Sequence, residues 1–143
     1  MNKIHITDLC DIDCVYLVKL DDKNLLDYKF AKKLDARHGR KITNVNHMIN
    51  LKILDASGDC GINDNGIKNI NLEKLYVSYN HKITNVNHMT KLKILDASCG
   101  CGIDDDGIED LNLEYLNAVA NPKITSENHM TNLKGSIKYM LNR

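Results

Sequence analysis

The chain contains no tryptophan, one phenylalanine (Phe30) and one proline (Pro122) among its 143 residues. Its core must therefore be aliphatic. The formal net charge is zero, so composition does not point to nucleic acid or to an anionic membrane. No run approaches about 18 apolar residues, and no membrane-spanning helix is expected. The opening Met1-Asn2-Lys3-Ile4-His5 lacks the apolar stretch of about 7–15 residues that a secretory signal needs. Five cysteines, an odd number without such a signal, predict free thiols in an intracellular, reducing compartment. G-x-S-x-G, P-loop, H-E-x-x-H and dinucleotide fingerprints are absent. Neither catalysis nor a cofactor is expected.

What is present is an internal repeat. Lys41-Ile42-Thr43-Asn44-Val45-Asn46-His47-Met48 returns unchanged at Lys82–Met89, and with changes at Lys123–Met130. Leu51-Lys52-Ile53-Leu54-Asp55-Ala56-Ser57 returns at Leu92–Ser98. The period is the same each time, from Lys41 to Lys82 and from Lys82 to Lys123. It splits into two nearly equal halves, marked by Leu34, Leu54, Leu75, Leu95 and Leu116. Each leucine sits in an apolar frame, as in Leu72/Leu75/Val77, and each is followed at one fixed distance by an isoleucine (Ile42, Ile62, Ile83, Ile103, Ile124).

This frame resembles the leucine-rich-repeat family, L-x-x-L-x-L-x-x-N/C-x-L with a period of about 20–29 residues, across residues 31–135. Asn80 and Asn121 stand at the family's ladder-asparagine position, where Gly39, Asp59 and Gly100 stand in the other copies. Ile62–Ile67 and Ile103–Ile108 are similar to a stretch of its cysteine-containing, F-box-associated subclass. The resemblance implies an α/β fold, a right-handed solenoid with short parallel strands on a concave side and short helices or turns on the convex side. A very short strand cannot bury its apolar face alone, so stacked copies share one core. Thr43 and Asp64 are expected as helix N-caps. Ile67 with Ile70, and Val86 with Met89, are expected to face inward.

The organisation expected is a helical N-terminal cap over 1–33, repeats over 34–135 (about five half-repeats) and a C-terminal cap over 136–143. In the N-terminal cap, Cys14, Leu17 and Val18 fall at helical spacing, Asp21-Asp22 breaks the pattern, and Leu25, Leu26 and Phe30 follow. The run Asp13–Leu26 is similar to the middle of an F-box, which would make residues 8–33 a site for a Skp-type adaptor of a cullin ubiquitin ligase.

Candidate metal sites fail on spacing. His47, His88 and His129 recur once per period, two turns or about 10 Å apart, too far to share a zinc with ligands at about 2.0–2.1 Å. Cys60 and Cys101, equally spaced, exceed the Cα limit of about 7 Å for a disulfide. Cys99/Cys101 and Cys10/Cys14 supply too few ligands. Asp104-Asp105-Asp106-Gly107 suggests calcium, but an EF-hand register would put Gly102 at position 1 and Leu113 at position 12. No metal is expected.

Side chains alternate across a strand, so the outward positions beside each leucine are Asp35, Asp55, Tyr76, Asp96 and Asn117 on one side. On the other they are Lys33, Ile53, Lys74, Ile94 and Tyr115. Arg37 lies just past Asp35. Asp35, Arg37, Ile53, Asp55, Lys74, Tyr76, Ile94, Asp96, Tyr115 and Asn117 therefore form the expected partner-binding face, with exposed apolar and aromatic groups suited to a protein. Its mixed charge disfavours nucleic acid. The abundance of asparagine, lysine and isoleucine and the near-identical copies resemble leucine-rich-repeat proteins of giant DNA viruses of amoebae, or of A/T-rich protists. A viral origin would imply a host-protein partner inside the infected cell. Self-association through the edge of the last strand is a further expectation.

Overall fold

The computed structural model describes residues 15–16 and 21–137. Cys10, Leu17, Val18, the rest of residues 1–14 and residues 138–143, on which parts of the cap readings rest, lie outside the described residues. Seven short strands form one parallel sheet in chain order: β1 (Val15–Tyr16), β2 (Lys33–Asp35), β3 (Ile53–Asp55), β4 (Lys74–Tyr76), β5 (Ile94–Asp96), β6 (Tyr115–Asn117) and β7 (Gly135–Ile137). The chain is a solenoid of about five turns. Leu34, Leu54, Leu75, Leu95 and Leu116 pair in register across β2 to β6 and are all buried. The isoleucines that follow them close the same core. Ile67, Ile70, Val86 and Met89 also point inward, as their helical spacing predicts.

Strands β2 to β6 are short because the chain enters the left-handed region soon after the leucine. The φ values are 58° at His38, 70° at Gly58, 62° at Tyr79, 56° at Cys99 and 55° at Ala120. Four of these are not glycine, and each such residue costs about 1–2 kcal/mol, which the packed turns must offset. The corner recurs regardless of residue type, so tertiary packing imposes it.

The return legs do not all carry a short helix. The first, third and fifth legs are helical: α1 (Asp22–Leu25) running into a 3-10 turn at Leu26–Tyr28, α2 (Asp64–Ile67), and a 3-10 turn at Asp106–Ile108. The legs through Val45, Val86 and Glu127 make only single turns, closed by Met48 N–H to Val45 O and its counterparts. The span from Ile42 to Leu54 is one position shorter than the span from Ile62 to Leu75. A helical turn does not fit. The expected caps are also corrected. Asn63, not Asp64, caps α2 by accepting from Gly66 N at 3.1 Å. Asp64 instead accepts from Thr84 N at 2.8 Å and from its hydroxyl at 2.6 Å. Thr43 caps no helix; its N–H donates to Asp22 at 2.7 Å. The acidic Asp104-Asp105 pair repeats the division of labour, Asp104 bonding Gly107 N and Asp105 bonding Thr125 N.

Two boundaries move. Val15 and Tyr16, expected within a helical cap, form β1 and pair with Leu34 and Asp35. Residues 135–137, expected to straddle the last repeat and its cap, form β7, with Ser136 opposite Leu116. The helical part of the N-terminal region that is described is α1 and its 3-10 extension.

The asparagine ladder has two rungs. Asn80 Nδ2 donates to Ala56 O at 2.9 Å and Ile62 O at 3.2 Å, and its Oδ1 accepts from Lys82 N at 2.9 Å. Asn121 does the same with Ala97 O, Ile103 O and Lys123 N. Where asparagine is missing, buried Cys60 and Cys101 fill the space at the next position, while Asp59 faces solvent beside Arg40. Truncating Asn80 orphans several buried backbone groups, each at about 1–3 kcal/mol. Asn80→Ala is therefore expected to cost at least about 2 kcal/mol in urea denaturation, and Asp59→Ala to change little. Equal effects would refute the ladder's role.

Candidate interaction face

The ten residues expected at the partner-binding face occupy one surface of the sheet. Asp35, Asp55, Tyr76, Asp96 and Asn117 form one row in register, and Lys33, Ile53, Lys74, Ile94 and Tyr115 the other. Flanking strands half-bury every residue of the two rows except Tyr115, which is 46% exposed. Arg37 stands at the end of the first row and folds back on it.

The acidic stripe has a local task that the sequence pattern does not assign. Asp35, Asp55, Asp96 and Asn117 each accept, through Oδ1, the backbone N–H of the next residue but one, at 3.1–3.2 Å. This side-chain turn competes with the strand ladder and helps to stop it. Arg37 donates from Nε and Nη2 to Asp35 at 2.9 and 2.6 Å, and its Nε lies 3.5 Å from Asp55. The Arg37 hydrogen bond holds the Asp35 carboxyl below its ordinary 3.8, against partial burial. Asp96 accepts from the Ser98 hydroxyl at 2.6 Å and from Asn117 Nδ2 at 3.0 Å. Tyr76 alone in this row has no such turn to make. Tyr76, Ile53, Ile94, Lys74 and Tyr115 take no part in these bonds.

The opposite surface carries the residues that tie turn to turn. His47, His88 and His129 place Nε2 at 3.1, 3.1 and 3.2 Å from the carbonyls of Leu25, Ile67 and Ile108. A carbonyl only accepts, so each ring donates from Nε2, and each histidine satisfies the end of a helical leg. Asn46 and Asn87 add further ties, donating to Asn65 O and Asp106 O. The aspartate–threonine ties at Asp22, Asp64 and Asp105 are absent from the sequence-based expectations, although their recurrence about once per period was a signal.

Among the described cysteines, Cys60, Cys99 and Cys101 are free thiols. Burial pushes Cys101 up to about 11 and raises Cys60 as well, which suits small core residues rather than nucleophiles. Cys99, at the rim of the sheet, is lowered by the Ser78 hydroxyl, with help from Tyr79 and Ser98, against partial burial and the Asp96 charge. Among the described residues no group of three or more His, Cys, Asp or Glu could hold a metal ion. No protein-family model, curated protein or solved structure matches the chain.

Proposed function

We propose that this chain is a right-handed leucine-rich-repeat protein of the cysteine-containing type that binds another protein on the concave face of its sheet and catalyses no reaction. The observation that carries the reading is the registered pair of rows in which Ile53, Tyr76, Ile94 and Tyr115 gather on the solvent side of the sheet. The core takes the middle leucine of each of β2 to β6, so these side chains lie outside it on the other surface of the sheet. Aromatics on a rigid surface are frequent hot spots. Lys74 and the Arg37–Asp35 pair give the rim both charge signs, as protein partners favour and nucleic acid does not. The free thiols suit an intracellular setting, which for a viral chain would be the host cytoplasm.

The ubiquitin-ligase reading is less favoured, because Val15 and Tyr16 lie in a strand within the segment that an F-box would make helical. Capture from a eukaryotic lysate tests both readings. Tyr76→Ala combined with Tyr115→Ala is expected to weaken retention of the specific partner at least about tenfold with an unchanged melting curve. Full retention would remove this face as the site. Recovery of a Skp-type adaptor with a cullin would restore the ligase reading.

A further inference from the structure

The three periods of the chain serve as controls for one another, and the first departs from the other two at one place. Directly after the residue whose carbonyl meets the recurring histidine stands Leu26, Lys68 or Glu109. Directly before the buried residue that opens the next frame stands Phe30, Asn71 or Asn112. Directly after the recurring His-Met stands Ile49, Thr90 or Thr131. All three positions are polar in the second and third periods and large and apolar in the first. Leu26, Phe30 and Ile49 are 57%, 46% and 72% exposed.

In the later periods two of these positions form a clamp between turns. Asn71 Nδ2 donates to Thr90 Oγ1 at 3.0 Å while its Oδ1 accepts from Lys91 N at 2.9 Å. Asn112, Thr131 and Asn132 repeat it at 3.0 and 2.9 Å. Phe30 and Ile49 cannot make these bonds. The neighbouring octapeptide Lys41–Met48 is identical to Lys82–Met89, so the change is confined. The exchange gives up a polar clamp and exposes three apolar side chains, which gains nothing for the free chain.

We propose that Leu26, Phe30 and Ile49 form a second docking surface, for an acidic amphipathic helix of a partner protein. Charge selects the acidic occupant. Residues 21–53 carry eight Lys or Arg against four Asp or Glu, and with Arg37, Arg40 and Lys52 drawn onto Asp35, Asp59 and Glu73 the balance is five against three, whereas the equivalent residues 103–135 carry two against seven. Lys29 Nζ lies 4.9 Å from the centre of the Phe30 ring, and Lys23 is exposed on α1 beside Leu26. Backbone geometry selects a helix. Ala31, Ile49 and Leu51 N–H groups are bonded within their own turns, so no strand edge is open here to extend. Recognition must run through side chains, as when an amphipathic helix presents residues three and four apart to an apolar surface.

The test grafts the second period onto the first: Leu26→Lys, Phe30→Asn and Ile49→Thr together. The probe is a fluorescent peptide of leucine and glutamate with leucines at helical spacing, about 16 residues so that it can hold a helix alone. Its leucine–lysine counterpart is run alongside. Fluorescence anisotropy is expected to show that the full chain binds the glutamate peptide, more weakly as salt rises, and at least about tenfold more weakly after the graft. The Tyr76→Ala/Tyr115→Ala chain should bind it undiminished, which separates this surface from the concave face. The grafted chain should melt no lower than the parent, since its new residues already pack in the second period. Binding that survives the graft, an equal response to the lysine peptide, or no binding of the glutamate peptide overturns the proposal. So does graft-sensitive dimerisation in sedimentation, which would make a second copy the occupant.

Discussion

Leu75→Ala is expected to lower the melting temperature by at least about 5 °C, corresponding to about 2–5 kcal/mol. Leu75 is fully buried in β4, the middle strand of the seven, and pairs in register with Leu54 and Leu95. Removing its branched end leaves a cavity between two rigid turns. Neither turn can collapse into it, because Asn80 fastens its own turn to Ala56 and Ile62 on the preceding one. In a solenoid each turn contacts only its neighbours, so a defect in the middle weakens two interfaces at once. A broader urea transition should accompany the loss if the two halves begin to unfold separately. A shift of less than about 2 °C would show that Leu75 is not in the core.

Gly66→Ala should be almost as damaging, for the opposite reason. A Cβ at Gly66 would lie 2.1 Å from the Thr43 carbonyl oxygen on the turn below. That oxygen belongs to backbone, and the Thr43 N–H is itself held by Asp22, so the obstacle cannot rotate away. The substituted turn must rise, stretching the Val45 N–H to Gly66 O bond of 2.9 Å. Overpacking of this kind costs about 1–3 kcal/mol, occasionally more, and the backbone clash puts Gly66→Ala at the upper end. Gly107 meets Thr84 in the same way at 2.1 Å, and Gly107→Ala should match it in thermal melts. Gly100→Ala is the control. Nothing lies within 4 Å of its Cβ, and only its φ of 63° opposes alanine. If the three variants melt alike, close approach of the turns is not what glycine serves at 66 and 107.

The core was legible in the sequence because burial in a stack depends on spacing alone. Once a leucine recurs in every half-period, one strand register satisfies all of them, and Leu34 through Leu116 pair as that register requires. The rows beside them follow, since side chains alternate. The same alternation could not reveal that Asp35, Asp55, Asp96 and Asn117 turn back onto their own backbone. An aspartate on an outward position looks identical whether it waits for a partner or ends a strand. Tyr76 becomes the centre of the candidate face only when its four neighbours prove occupied.

Helix caps were misplaced for a related reason. Thr43 and Asp64 have side chains able to cap, but Thr43 donates its hydroxyl to a carboxylate and Asp64 accepts from a backbone N–H and a hydroxyl. Their partners, Asp22 and Thr84, lie on neighbouring turns, where no local rule looks. Period, core and the polar alternation of the sheet were thus determined by the sequence itself, because each depends on distances along the chain. Which aspartates tie one turn to the next, as Asp22 and Asp64 do, and where Phe30 and Ile49 leave a clamp unmade were decided only by stacking. Each depends on what the next turn places within hydrogen-bonding distance, and that is a property of neighbours in space.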